Sequence, residues 1–104
     1  MDKKYALNIA RKFSREIKDL LPIEKVILFG SFARGTNRKW SDIDIAVVVK
    51  KYNFDIFEAY QKIGNATIKV DSRIEAIIID KDMTKDFSGF RETIYKEGII
   101  VYSA

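Results

Sequence analysis

The first part of the chain alternates apolar and charged residues with the period of a helix. Apolar residues recur every three or four positions from Lys3 to Leu21, with charged residues between them. Pro22 follows and is expected to stop this helix. A short run of apolar and β-branched residues, Lys25–Phe29, then predicts a first strand that ends at Gly30. The chain is therefore expected to begin with an amphipathic helix and a strand.

Two further strands are predicted from apolar runs. Ile43–Val49 ends in three consecutive valines, which is typical of a central strand covered on both faces. Arg73–Ile79 predicts a third strand. Between the first two strands, Ser31–Trp40 is polar and contains turn-forming residues, so we expect a tight turn or a single helical turn and then a loop. Trp40 is expected to anchor this loop against apolar surface.

A second helix is predicted after the valine-rich strand. Asn53 is its expected N-cap, because a short polar side chain can accept a hydrogen bond from the first turn. Gly64 is its expected end, because glycine commonly terminates helices. The stripe of this helix that is expected to face the core consists of Ile56, Phe57, Tyr60 and Ile63.

The last part of the chain predicts one more helix and strand. Helical spacing extends from Thr84 to Glu97, Gly98 is the expected stop, and Ile99–Tyr102 is a short final strand. The order α-β-β-α-β-α-β has no repeat and no internal linker, which predicts a single α+β domain over residues 1–104. The expected buried positions of the last helix are Phe87, Phe90 and Ile94.

The amino-acid inventory restricts the chemistry. The 104 residues include no cysteine and no histidine, which excludes disulfides, thiolate zinc sites, Ser-His triads and Cys-His dyads. No stretch is apolar enough for a signal peptide or a membrane span, so we expect a cytoplasmic protein without a membrane partner. The net charge of +4 suits a polyanion only weakly and gives no direct evidence for nucleic acid.

Two aspartates lie at the start of the valine-rich strand. Asp42 and Asp44 are two residues apart, so in an extended strand their side chains leave the same face with Cα atoms roughly 6.5 to 7 Å apart. Carboxylates at this spacing can converge on divalent cations, and oxygen ligands alone favour Mg²⁺ or Mn²⁺. The alternative is a solvated strand end at which Ser41 and Asp42 cap the loop.

The Gly30-Ser31 pair follows the first strand, twelve residues before the first of these aspartates. Glycine lets the main chain approach a ligand, and the following turn can direct N–H groups and the Ser31 hydroxyl toward phosphate oxygens. Arg34 is well placed to bind phosphate bidentately, whereas Arg38 and Lys39 are expected to be solvated. A phosphate-binding turn opposite a metal-binding pair outlines a site for a nucleoside triphosphate.

A two-metal site for nucleotidyl transfer usually includes a third carboxylate. Glu75 is the best candidate, because it is the only acid inside the predicted third strand. Asp71 and Asp80 flank that strand and are expected to be loop or cap residues. The alternative for Glu75 is an edge-strand glutamate that faces water.

Two motifs resemble the signature of the minimal nucleotidyltransferases, the small branch of the DNA polymerase β-like nucleotidyltransferases. They are Gly30-Ser31-x-Ala33-Arg34-Gly35 and Ser41-Asp42-x-Asp44-Ile45. The closing segment, residues 94–102, is also similar to the C-terminal helix and strand of that family. The resemblance extends over nearly the whole chain. It implies the polymerase β-like fold, with a small mixed sheet of about four strands packed against three helices.

The resemblance also implies roles for particular residues. Asp42 and Asp44 would hold the metal ions, with Glu75 as the third catalytic carboxylate. The nucleotide-binding residues would be Gly30, Ser31, Arg34 and Ser41. The family usually has aspartate where this chain has Glu75, and the extra methylene can displace a metal-bound nucleophile by about an ångström, which costs on the order of a hundredfold in rate.

The activity implied by the resemblance is Mg²⁺-dependent transfer of AMP from ATP to a hydroxyl group. Family members often act beside a HEPN-domain protein, as an antitoxin that adenylylates a HEPN toxin, which implies such a partner here. One alternative is a non-catalytic nucleotide-binding module that neutralises a partner. Another is a small-molecule enzyme of the aminoglycoside-modifying type, in which a homodimer would supply the missing substrate-binding structure.

Overall fold

The computed structural model describes residues 2–50, 54–80 and 89–104. Within these ranges the four strands form one sheet in the order β3-β2-β1-β4. Strands β2 and β3 are parallel, and the other two pairs are antiparallel. The predicted mixed sheet of four strands is thereby confirmed. The elements are α1 (Lys3–Ile17), β1 (Ile23–Phe29), α2 (Ser31–Arg34), β2 (Ile43–Val49), α3 (Ile56–Val70), β3 (Ile74–Asp80), α4 (Phe90–Glu97) and β4 (Ile99–Ser103).

Helices α1 and α3 cover one face of the sheet and form the larger core with it. Helix α1 begins at an N-cap, where the Asp2 carboxylate accepts a hydrogen bond from the Tyr5 N–H at 2.9 Å. Alternate residues of β2 point into this core because successive strand side chains face opposite ways. The buried apolar side chains of this core that come from α1, β2 and α3 are Ala6, Ala10, Phe13 and Ile17, then Ile43, Ile45, Val47 and Val49, and then Ala59, Ile63 and Ala66.

Helix α4 packs on the opposite face over a smaller core, which consists of Ile27, Ala46, Val48, Ile79 and Ile94. Strand β2 is therefore buried on both faces, as its valines predicted. Gly98 joins α4 directly to β4, and a Cβ at this position would overlap the Ile27 side chain and the Ile94 carbonyl. Helix α4 spans only 8 residues, about half the length of α1 and of α3 on the other face.

The first helix and strand have different limits from those predicted. Helix α1 ends at Ile17 instead of Leu21, and β1 begins at Ile23 instead of Lys25. The Pro22 carbonyl accepts a hydrogen bond from the Lys50 N–H at 2.9 Å, which holds the proline beside the end of β2. Strand β3 begins and ends one residue later than expected, at Ile74 and Asp80.

Helix α3 differs from its prediction in its cap, its end and part of its buried face. The Asp55 carboxylate accepts hydrogen bonds from the Phe57 and Glu58 N–H groups and caps the helix, whereas Asn53 lies outside the described residues. The helix continues through Gly64 to Val70. Phe57 is 84% exposed instead of buried, because the core-facing stripe runs through small alanines that give a weak sequence signal.

The expectations for the last helix, α4, and for Trp40 in the loop before β2 also need correction. Thr84 and Phe87 lie outside the described residues, and the described helix begins at Phe90 after Gly89, whose φ is 70°. Ile94 is buried as predicted, but Phe90 is 49% exposed. Trp40 is 84% exposed and does not anchor its loop. None of the described helices has the length and hydropathy needed to cross a membrane.

Candidate active site

Three carboxylates lie on one face of the sheet near one end. Ile43 and Ile45 point into the larger core, so Asp44 between them faces the side covered by α4. Asp42 precedes β2 by one residue and shares this side by alternation. Register places Glu75 of β3 beside Asp44, and neighbouring strand residues in register project from the same face. The structure therefore brings Asp42, Asp44 and Glu75 to the same face of the sheet, near enough for their charges to interact.

Burial and electrostatic repulsion both act on the Asp44 carboxyl. Burial raises the pKa of the Asp44 carboxyl above its ordinary value of 3.8, and the nearby charges of Glu75 and Asp42 raise it further. Arg34 opposes this by lowering the pKa of the same carboxyl. Asp42 and Glu75 are exposed and remain accessible to solvent. A cation bound at Asp44 would thus relieve repulsion between its carboxylate and those of Glu75 and Asp42.

Gly30 allows the backbone of the neighbouring strand to approach Asp44. Its φ of 75° and ψ of −154° lie in a region that glycine tolerates and residues with a Cβ do not. A Cβ at Gly30 would also overlap the Asp44 carboxylate. The residue that follows, Ser31, begins the single turn of α2, which ends at Gly35 in the left-handed conformation. The predicted helical turn after β1 is confirmed.

A cleft of about 300 Å³ opens beside this glycine, between α2, α4 and the sheet. Arg34 and Glu97 face each other across it, with 3.7 Å between a guanidinium nitrogen and a carboxylate oxygen. The Phe29 and Phe90 rings pack edge to face with 5.8 Å between their centroids. The described residues that line the cleft are Phe29, Gly30, Ser31, Arg34, Asp44, Phe90, Thr93, Ile94 and Glu97.

The cleft includes some of the predicted site residues and leaves others outside. Gly30, Ser31, Arg34 and Asp44 line it, but among the described lining residues Asp42, Glu75 and Ser41 are absent. The Ser41 hydroxyl accepts a hydrogen bond from the Arg38 N–H at 2.8 Å, which closes the loop before β2. This contact agrees with the capping alternative for Ser41.

The sequence prediction had missed the contribution of α4 to the cleft. Glu97, Thr93 and Phe90 line it beside the motif residues. Glu97 belongs to the closing segment that resembles the family, so a signal was present, but that segment carried no predicted site role. The position of Glu97 depends on how α4 returns toward α2, which local periodicity does not encode.

The three carboxylates are the kind of ligand that a hard divalent cation prefers, but they do not lie close enough together to hold one by themselves. All three offer oxygen ligands only, and the charges of Glu75 and Asp42 add to the effect of burial in raising the pKa of Asp44. In the described part of the chain, no three Asp or Glu side chains are close enough together to hold a metal ion. An ion at Asp42 and Asp44 would therefore need further oxygen ligands from a bound substrate or from water.

Comparison with known sequences identifies the family. The profile of the nucleotidyltransferase domain matches residues 10–101. The chain belongs to the nucleotidyltransferase domain family. It is 32% identical over 87 residues to "Putative protein adenylyltransferase MJ0141" of Methanocaldococcus jannaschii, and the matched region is 78% of this chain and 86% of that protein. The predicted resemblance to minimal nucleotidyltransferases is confirmed.

Solved structures show the same fold. A "putative nucleotidyltransferase from Sulfolobus solfataricus" matches with a TM-score of 0.70 and 23% identity, over 97% of this chain and 83% of that one. A structure described as the tri-AMPylated Shewanella oneidensis HEPN toxin in complex with MNT antitoxin matches with a TM-score of 0.64 and 18% identity, over 98% of this chain and 73% of that one. The polymerase β-like nucleotidyltransferase fold of this family is thereby established.

We expect a methyl group at Gly30 to disrupt the site, whereas a methyl group in the α3 helix should be tolerated. Gly30→Ala combines an unfavourable φ with the Asp44 overlap, so it should lower the free energy of unfolding by about 1–3 kcal/mol. Gly64→Ala is the matched control. Its Cβ meets nothing within 4 Å, and the change should stabilise the helix by about 0.5–1 kcal/mol. Urea unfolding of both variants measures these changes in the free energy of unfolding. Equal changes in the two variants would contradict the close approach of Gly30 to the Asp44 carboxylate.

The raised pKa of Asp44 predicts a pH-dependent cost to folding. Because the folded protein holds this proton more tightly than the unfolded chain, the stability contributed by protonation is present below the ordinary pKa of 3.8 and is lost as pH rises through the folded value. Asp44→Asn should therefore be more stable than the wild type near neutral pH, with a difference that shrinks as the solution is acidified. Urea unfolding of both proteins from acidic to neutral pH measures this difference in stability. An Asp44→Asn variant that is less stable than the wild type at neutral pH would contradict the raised pKa of Asp44.

Proposed function

We propose that this chain is a Mg²⁺-dependent nucleotidyltransferase that moves AMP from ATP to a hydroxyl group on a partner protein. The observation that carries the proposal is the close approach of Gly30 to the Asp44 carboxylate in a cleft that also contains Arg34. A cation and a tight glycine turn suit phosphate oxygens, and a carboxylate beside them suits the metal ion that accompanies a triphosphate. Family membership supports the reaction class.

In this proposal the residues of the chain mainly bind and position the reactants. Gly30, Ser31 and Arg34 would hold the triphosphate, while Asp42 and Asp44 would hold Mg²⁺. When bound, the metal would polarise the α-phosphoryl group and neutralise negative charge on the leaving pyrophosphate. The acceptor oxygen forms a bond to the α-phosphorus as the bond to the β-phosphate oxygen breaks. Glu75 is exposed beside Asp44 in register and is the candidate to accept the hydroxyl proton.

A HEPN-domain protein is the partner that we propose as acceptor. The sequence relative is named for protein adenylylation, and a structural neighbour is described as an MNT antitoxin in complex with a HEPN toxin that carries three AMP groups. The described residues form one sheet with its helices and no separate acceptor-binding domain. A partner that presents its own hydroxyl group would supply what this domain lacks. The chain would then act as an antitoxin in the cytoplasm.

A non-catalytic nucleotide-binding module is the second candidate function. Glu75 lies beside Asp44 in register and is exposed, and within the described ranges no three acids are gathered closely enough to hold a metal ion. If the glutamate does not reach the reacting group, nucleotide would bind and partner neutralisation would proceed by complex formation alone.

Transfer of a radioactive label distinguishes these functions. The protein is incubated with α-³²P-labelled ATP and Mg²⁺, with and without lysate of its source organism. We expect the wild type to label a macromolecule and the Asp42→Asn/Asp44→Asn variant to lose on the order of a hundredfold or more of this activity. Asp19→Asn is the matched control, because Asp19 is an exposed carboxylate in the turn after α1, outside the site.

Thermal unfolding in the presence of ATP completes the experiment. ATP that raises the melting temperature without any transfer of label would favour the binding module over the enzyme. The absence of both label transfer and thermal protection would contradict both functions.

A further inference from the structure

An ion pair forms part of the wall of the cleft that Asp44 also lines. Arg34 at the end of α2 approaches Glu97 at the end of α4, with 3.7 Å between a guanidinium nitrogen and a carboxylate oxygen. The side chains are 48% and 43% exposed, so the pair is screened by water and only weakly held. Both residues line the cleft together with Gly30, Ser31 and Asp44.

In this pair the Glu97 carboxylate contacts Arg34, which is the cation that a phosphate group would bind. Arg34 is the only cationic residue among the described residues that line the cleft, while Asp44 and Glu97 are both acidic. A polyphosphate that binds Arg34 in the cleft therefore has to compete with the Glu97 carboxylate and to tolerate its negative charge nearby. Both requirements weaken binding.

The backbone at Glu97 is fixed beside the cleft, so the carboxylate stays within side-chain reach of Arg34. Gly98 follows directly and is packed so tightly against Ile27 and the Ile94 carbonyl that a Cβ would not fit. The Gly98 N–H also donates a hydrogen bond to the Ile94 carbonyl at 2.8 Å, and Ile94 is 1% exposed. The end of α4 is thus anchored in the smaller core.

We propose that Glu97 is a specificity-determining residue that competes with phosphate for Arg34 and thereby selects polyphosphates whose charge is already neutralised by a metal ion. The inference rests on the proposed function of the cleft as a nucleotide site. A metal-free triphosphate carries its full negative charge toward Glu97, whereas a magnesium-bound one carries two charges fewer. The carboxylate therefore penalises the metal-free ligand more strongly.

Substitution of Glu97 tests the proposal through binding alone. The probe is inorganic tripolyphosphate in EDTA at low ionic strength, where screening is weakest, and isothermal titration calorimetry gives its Kd. Glu97→Gln should bind the probe about two- to fivefold more tightly than the wild type, because the interaction energy of an exposed ion pair limits the change in Kd to about this factor. The gain should be smaller for Mg²⁺-ATP. Glu97→Gln in an Arg34→Ala background should also give a smaller gain, because the competition is removed.

The matched control is Glu92→Gln, which removes an exposed carboxylate from the first turn of the same helix. Glu92 is not among the residues that line the cleft, so this variant should bind the probe as the wild type does. Urea unfolding of each variant confirms that the fold is intact.

The outcomes separate this inference from the proposed function. If the wild type binds Mg²⁺-ATP but Glu97→Gln does not bind tripolyphosphate more tightly, the proposed competition is overturned. Weaker binding would show instead that Glu97 orients Arg34, and unchanged binding would show that Glu97 plays no part. If neither the wild type nor Glu97→Gln binds Mg²⁺-ATP, the nucleotide site itself is wrong and the inference fails with it.

Discussion

Asp44 is a partly buried carboxylate on a strand whose other side chains are all buried and apolar, and the rest of the site depends on how the fold accommodates its charge. Burial and two neighbouring carboxylates raise its pKa, which is a cost to folding whenever the group is ionised. Gly30 leaves room for the carboxylate at the turn that follows β1. Arg34, one helical turn further along, partly balances the charge.

The unequal covering of the two sheet faces makes this cost tolerable. Helices α1 and α3 build the larger core on one face, and fully buried side chains such as Phe13 and Ile17 each contribute about 1.5–3 kcal/mol. In the described part of the chain, the short helix α4 packs over the smaller core on the other face. The acidic group lies on this second face, where α4 meets α2. Stability thus comes mainly from one side of the sheet, and the chemistry that we propose lies on the other.

Local patterns predicted the strands at the centre of the fold and the proximity of Gly30 to Asp44, because these motif residues are close in sequence. The strand ends at Gly30 and Asp44 are joined by a short loop, so periodicity and spacing were sufficient to bring them together. The errors arose where packing between distant elements decides the outcome. Gly64 continues a helix because tertiary contacts hold α3 beyond it, and Phe57 is exposed because alanines form the buried stripe. Glu97 reaches the cleft through the return of α4, which no local pattern indicates.

The central claim is that Asp42, Asp44 and the Gly30 turn bind a metal-nucleotide complex, and paramagnetic relaxation tests it most directly. Mn²⁺ and ATP are added to ¹⁵N-labelled protein, and the broadening of each backbone amide signal is measured. The account predicts broadening centred on Asp42, Asp44 and Gly30 that weakens toward α1. Broadening centred on other carboxylates, such as Asp71 or Asp55, would contradict it.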